Sequence, residues 1–144
     1  MIKVVRWSTK IILAKDLVPQ KMTWGGFNAT ALSFCPYDTI DDFRYNFWKS
    51  DVEKHHNQQI FANHYILDIS NLPYKTEDEL FLIGKKAYKD FELDDYLKND
   101  LGIYLTLADY GDIYGVKIVE FRIYEHSKVI ILDNDSEGDS CHTP

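Results

Sequence analysis

Apolar residues along this chain fall mostly in short runs with a period near two, and in two places with a period of three to four. Ile2 to Trp7 reads as a strand. Residues 10–18 fit either a strand or a short helix, and Pro19 ends the segment in both cases because a residue before proline is pushed out of the α region. Gly25-Gly26 marks a turn, and Ala29 to Phe34 reads as a short buried strand closed by Pro36. Residues 60–70 form the next expected strand, closed by Pro73. Ile103 to Leu107 is followed by a turn cluster over 109–112. Val116 to Tyr124 and Lys128 to Leu132 are then expected as a hairpin around Glu125-His126-Ser127.

The first helical repeat starts near Thr39. Asp38 or Thr39 can accept a free amide of the first turn, and Asp41 and Asp42 suit the positive end of the helix dipole. Ile40, Phe43 and Phe47 recur at helical spacing beside Trp48, which predicts a helix over 39–57. The second repeat follows Thr76-Glu77-Asp78-Glu79, a capping box in which Thr76 caps the amide of Glu79 while Glu79 reaches back. Leu80, Ile83, Ala87 and Phe91 share a face, which predicts a helix over 77–90. The expected fold class is therefore α+β: a mostly antiparallel sheet with two main helices packed on one side. No repeat or linker divides the chain, so residues 1–132 are expected as one globular domain and residues 133–144 as an acidic disordered tail.

Composition supports a core that needs no metal or disulfide. Ten Tyr, eight Phe and three Trp are present, and each such side chain buries on the order of 150–250 Å². Cys35 and Cys141 are too isolated for a disulfide framework. No apolar run approaches the roughly 18–20 residues that cross a bilayer, and the alternating start lacks the apolar block of a secretion signal. The expectation is a cytoplasmic protein without a membrane partner.

Charge changes the picture more. The net charge is −7, and the four acids of the tail (Asp133, Asp135, Glu137, Asp139) carry most of it. Residues 1–35 set five basic residues against Asp16, whereas residues 76–112 set ten acids against four lysines. Glu77, Asp78, Glu92, Asp94 and Asp95 fall outside the second apolar stripe, so they form a candidate surface for a basic protein partner.

Most candidate chemistry dissolves on inspection. His55 and His56 are neighbours at a helix end, pointing about 100° apart, and with His64 they lack metal-ligand spacing. Cys35 has no local base and reads as a buried structural thiol. Gly25-Gly26 lacks the further glycines of a phosphate loop. Lys3, Arg6 and Lys10 with Trp7 and Trp24 have the residue types that grip single-stranded nucleic acid, but the acidic overall charge opposes that partner.

One set of positions resembles the ADP-ribosyltransferases. That superfamily carries an early Arg or His on a strand, a central Ser-Thr-Ser or Tyr motif and a late Glu on a strand. Arg6 occupies an early strand, Gly102-Ile103-Tyr104-Leu105-Thr106 resembles the Gly-x-Tyr stretch, and Val119-Glu120-Phe121 with Lys128-Val129-Ile130 resembles the late Glu strand and its partner. The chain departs from the pattern in two ways. Ala31-Leu32-Ser33 is the nearest match to Ser-Thr-Ser, and Ile118 stands where a Glu-x-Glu or Gln-x-Glu pair has its first residue. The resemblance implies NAD as cofactor and Arg6, Tyr104 and Glu120 as site residues.

Two functions are thus expected from residues alone. In the first, the chain is a small acidic protein-binding module, of the kind found among immunity proteins and phage or mobile-element inhibitors, acting stoichiometrically and needing no cofactor. In the second, it is an ADP-ribosyltransferase-like NAD-using enzyme or an inactive relative. A cleft that gathers Arg6, Tyr104 and Glu120 favours the second; an exposed acidic or aromatic patch favours the first.

Overall fold

A computed structural model describes residues 1–24, 27–69, 74–76, 79, 82, 105–124 and 129–134. Among the described residues eight strands form one sheet: β1 (Ile2–Ser8), β2 (Gln20–Trp24), β3 (Phe27–Pro36), β4 (Phe61–Asp68), β5 (Tyr74–Thr76), β6 (Leu105–Ile113), β7 (Val116–Ile123) and β8 (Ile130–Asp133). The order is β5-β6-β7-β3-β1-β4-β8, with β2 paired to β3 off this path. All pairings are antiparallel except β5 with β6. A single helix, α1 (Phe43–His55), stands among the described residues, together with a short 3-10 turn at Ala14–Asp16.

This corrects the expected α+β arrangement of two main helices packed on one side. The sheet is mostly antiparallel as expected, but it dominates the described residues, where α1 is the one α-helix with a full range. The physical reason is that segments without clear alternation pair as strands all the same, and that a glycine inside a strand does not end it. Gly111, at φ 85°, sits at a bulge inside β6 rather than in a turn, so that strand runs on to Ile113, past the expected end at Leu107. Pro36 pairs with Val4 at the end of β3, a strand terminus where its missing donor costs little. β2 and β5 lie in segments that carry no clear alternation. β8 pairs with β4 rather than forming the expected hairpin with β7. The expected helix over 77–90 lies, apart from Glu79 and Leu82, outside the described residues. One bond of its capping box is present: the Glu79 amide donates to Thr76 Oγ1 at 3.2 Å.

Alternation along the strands gives the sheet two different faces. Val4, Leu32, Phe34, Tyr65, Leu67, Leu105 and Ile123 build the larger core on one face. Val5, Trp7, Cys35 and Ala62 point the other way and meet Tyr37 and the Tyr45 of α1, with Ile40, Trp48 and Val52 packed around them. On α1 the stripe Tyr45, Trp48, Val52 faces the sheet, so the expected face through Phe43 and Phe47 is rotated. Phe43 instead meets Tyr114 edge-on at 6.0 Å.

The helix starts at Phe43, four residues later than expected. Asp42, not Asp38 or Thr39, is its N-cap: Asp42 Oδ1 accepts the Arg44 amide at 2.9 Å. The Arg44 guanidinium also grips Asp42 at 2.6 Å and holds its carboxyl down to about 2. At the other end His55 Nδ1 lies 2.8 Å from the Asp51 carbonyl oxygen, satisfying a group of the last turn.

The body also reaches past Leu132. Asp133 accepts the Ala14 amide at 2.8 Å, and the Asn134 amide donates to the His64 carbonyl at 3.0 Å. Residues 135–144 lie outside the described residues.

Two outcomes are expected. Asp42→Ala should cost about 0.5–2 kcal/mol in denaturant melts, while Asp42→Asn, which keeps a capping acceptor, should cost less at neutral pH. Because the folded carboxyl is held down to about 2 against roughly 3.9 unfolded, the wild-type advantage should persist above about pH 4 and vanish as pH falls through about 2. Tyr114 holds a positive φ of 50° beside Gly115 at 79° in the two-residue turn between β6 and β7. Tyr114→Asn should therefore raise the melting temperature, by relief on the order of 0.5–1 kcal/mol.

Candidate functional site

β1 and β3 pair at just two positions, Val4 with Pro36 and Val5 with Cys35. Beyond them β1 stays with β4 out to Ser8, whereas β3 pairs with β2 over Phe27–Ala31. Where the strands part, a cleft of about 220 Å³ opens beneath α1. Arg6 and Trp7 come from β1, Ala31, Ser33 and Cys35 from β3, Gln20 from β2, Glu120 from β7, and Trp48, Asp51 and Val52 from α1. A second cavity of about 360 Å³ adjoins it and shares Arg6 and Gln20. Its other walls are Lys10, Ile11, Ile12, Asp16, Leu17 and Val18. The loop carrying residues 10–14 is pinned across β4: Asn63 bonds the Lys10 carbonyl and the Ile12 amide at 3.0 and 2.8 Å, and Tyr65 donates to the Ile12 carbonyl at 2.5 Å.

Glu120 is 6% exposed and Arg122 8%. Both Glu120 oxygens are occupied. Oε1 accepts from the Ser33 hydroxyl and from Arg122 Nε at 3.2 Å, and Oε2 accepts from the Tyr110 hydroxyl at 3.1 Å. Arg122 Nη2 donates to the Tyr110 oxygen at 3.0 Å, closing a ring of three side chains. Tyr110 is 48% exposed as a residue, but partial burial of its phenol, with Glu120 adding to it, pushes the group up to about 12, so it remains a donor at neutral pH.

Arg6 differs from Arg122. It is half-buried, and its side chain makes no hydrogen bond or ion pair among the described residues. Burial pulls its guanidinium below the usual value, which Tyr65, Glu120 and Cys35 partly offset. The indole Nε1 of Trp7 and that of Trp48, two residues of the cleft wall, are buried with no partner among the described residues. An unmet buried donor costs about 1–3 kcal/mol; both indole nitrogens are closed off from solvent, which leaves the half-buried Arg6 guanidinium as the donor that an acceptor-rich ligand can reach.

The structure thus brings Arg6 and Glu120 into one cleft, and adds Ser33, Asp51, Trp48 and Gln20 to them. Tyr104 lies outside the described residues, as do Glu77, Asp78, Glu92, Asp94 and Asp95. Trp7 packs edge-on against Tyr45 at 4.9 Å and is buried, so it offers no free face for stacking a base. Of the histidines, His64 lies between the Tyr37 and Tyr45 hydroxyls at 2.5 and 3.0 Å, while His55 and His56 are exposed at the end of α1. No group of three or more metal-ligating side chains occurs among the described residues. No described helix is long and apolar enough to cross a membrane.

Comparison with protein-family models, with curated proteins and with solved structures finds no match to this chain.

Cys35 lines the cleft, yet burial drives its thiol well above the usual range, with Glu120 and Asp51 pushing the same way. The thiolate is the nucleophile, so Cys35 should resist iodoacetamide in the folded protein at neutral pH. Peptide mass mapping should find it alkylated only after denaturation. Rapid modification of the folded protein would mean that the site opens in solution.

Proposed function

We propose that this chain is an ADP-ribosyltransferase-like protein that binds NAD⁺ in the cleft beneath α1 and turns it over. The observation that carries the reading is the convergence of Arg6, Ser33 and Glu120, from three strands far apart in sequence, on one cavity. The charge layout adds support. Acidic Glu120 and Asp51 line one cavity, Arg6 stands at the junction, and the second cavity has apolar walls from Ile11, Ile12, Leu17 and Val18 with Lys10 at its edge. NAD⁺ has the matching order: a cationic nicotinamide, a diphosphate and an adenosine. Small-molecule sites usually enclose roughly 300–1,000 Å³; the first cavity of about 220 Å³ falls short alone, and its neighbour of about 360 Å³ brings the pair into range.

In this reading Arg6 pairs with the diphosphate and fixes the dinucleotide across the junction. Glu120, a carboxylate already oriented by three donors, stabilises positive charge that grows on the nicotinamide-side ribose as the glycosidic bond breaks. Ser33 holds that carboxylate from the neighbouring strand.

The test is calorimetric titration with NAD⁺ together with nicotinamide release, with and without candidate protein acceptors. Arg6→Gln should weaken binding about ten-fold or more through loss of a charge-assisted contact. Glu120→Gln should still bind while losing most turnover. Absence of both binding and nicotinamide release in the wild type would refute the reading.

A second reading keeps the chain as a stoichiometric protein-binding module or inhibitor. It is favoured by one observation, an exposed aromatic group at the β6–β7 turn. Tyr114 is 92% exposed and stands beside Phe43, which is also exposed. A partner bound there should protect Tyr114 from modification without changing NAD⁺ binding.

A further inference from the structure

We infer that Tyr110 and Arg122 are positioning residues for Glu120, forming a clamp that fixes both oxygens of its carboxylate toward the cleft; this rests on reading Glu120 as the carboxylate that meets the substrate. The direction of every bond in the clamp is set by chemistry. A guanidinium can only donate, so Arg122 gives one N–H to Glu120 Oε1 at 3.2 Å and another to the Tyr110 oxygen at 3.0 Å. The phenol proton is then directed at Glu120 Oε2, 3.1 Å away. A carboxylate held at one oxygen can swing about its terminal torsion. Held at both, it cannot.

The backbone is shaped to deliver Tyr110 to that position. Glu120 lies opposite Ala108 and Arg122 opposite Thr106, so Tyr110 is two residues further along the same face of β6. The register shifts between Asp109 and Asp112, immediately around Tyr110. Gly111 supplies the positive φ of 85° there, and its amide donates to Asp109 Oδ1 at 2.8 Å. Lys117 anchors the same Asp109 at 3.1 Å. Bulges re-aim a side chain at the point where a ladder is interrupted, and this one carries the residue that bonds Glu120. From the opposite side Trp48 of α1 meets the Tyr110 ring edge-on at 5.2 Å. Trp48 also lines the cleft, so the helix that roofs the site also braces the clamp.

A purely structural ion pair would need none of this. Replacing a buried pair with apolar residues is often neutral or stabilising, and Arg122 alone would neutralise the charge of Glu120. The added phenol, its bulge and its aromatic brace fix geometry rather than charge.

The experiment compares the wild type with Tyr110→Phe and Arg122→Lys, each of which retains the ring or the charge while removing the fork of bonds. Two readouts are taken on the full chain. The first is the rate at which a water-soluble carbodiimide with an added amine labels Glu120, followed by peptide mass mapping, with exposed Asp51 of the same cleft as the internal reference. Freed of its clamp, Glu120 should label several-fold faster in both variants while Asp51 is unchanged. Equal Glu120 labelling in all three proteins overturns the proposal whether or not NAD⁺ is a substrate. The second readout is nicotinamide release over a range of NAD⁺ concentrations. Misplacing a reacting group by about 1 Å costs up to ~10²-fold in rate, so kcat should fall between ten- and a hundred-fold with KM nearly unchanged. Unchanged kcat in an active protein also overturns the proposal. Wild type that shows no NAD⁺ turnover, with faster Glu120 labelling in the variants, removes the NAD⁺ reading and leaves the clamp standing.

Discussion

The early parting of β1 and β3 constrains everything else in this fold. β3 is ten residues long, yet it gives β1 two pairs and spends its first half on β2. A strand edge can hold one neighbour at a time, so the sheet must open where that neighbour changes. Side chains that would otherwise interdigitate across a ladder face a gap instead. Arg6 and Trp7 therefore look across at Ala31 and Ser33 with space between them. The chain supports this opening by tying its far side down: Asn63, Tyr65 and Asp133 hold the loop after β1 through its backbone groups. Those bonds satisfy amides and carbonyls that the missing ladder leaves free.

Alternation then decides what the gap contains. One face of the sheet carries the larger apolar core. The other is apolar beneath α1, at Val5, Cys35 and Ala62, and polar on β7 and β6, at Glu120, Arg122 and Thr106. The cleft lies on the boundary between these two regions, roofed by the same Trp48 that touches Tyr110. A charged group placed there meets low-dielectric walls on one side and fixed donors on the other, where electrostatic contacts are stronger than in water.

Much of this was legible in the residues. Strands β1, β4 and β7 follow from their alternation, and the strand positions of Arg6 and Glu120 were read correctly. What could not be read was pairing. Nothing in the composition of Ile130–Asp133 says that it joins β4 and not β7, and a period of two does not say which neighbour a strand chooses. Glycine misled for the same reason. Asp109-Tyr-Gly-Asp has the residues of a turn, and only the ladder on both sides shows Gly111 to be a bulge. Ser33 stands in a partial motif match, but its bond to Glu120 bridges 87 positions in sequence. Tyr110 and Arg122 belong to no motif in the sequence, although Glu120 and Arg122 two apart on a strand already place opposite charges on one face. That spacing was the available signal.

The buried polar cluster weighs on function because of what it costs. Glu120 and Arg122 are both removed from water, and desolvating two charges takes several kcal/mol per ion that their attraction only partly returns. A fold seeking stability alone would fill this face as it fills the other, with Leu, Ile and Phe. Instead the carboxylate is bonded through both oxygens, while a second arginine in the same cleft, Arg6, has no ion-pair partner among the described residues. The two arginines divide the work that a charged site requires. Arg122 fixes a carboxylate in place, and Arg6 keeps its guanidinium available at the junction of the two cavities. One satisfied and one unsatisfied cation, on either side of a gap that the sheet topology creates, form an arrangement whose missing counterpart is an anion supplied from outside.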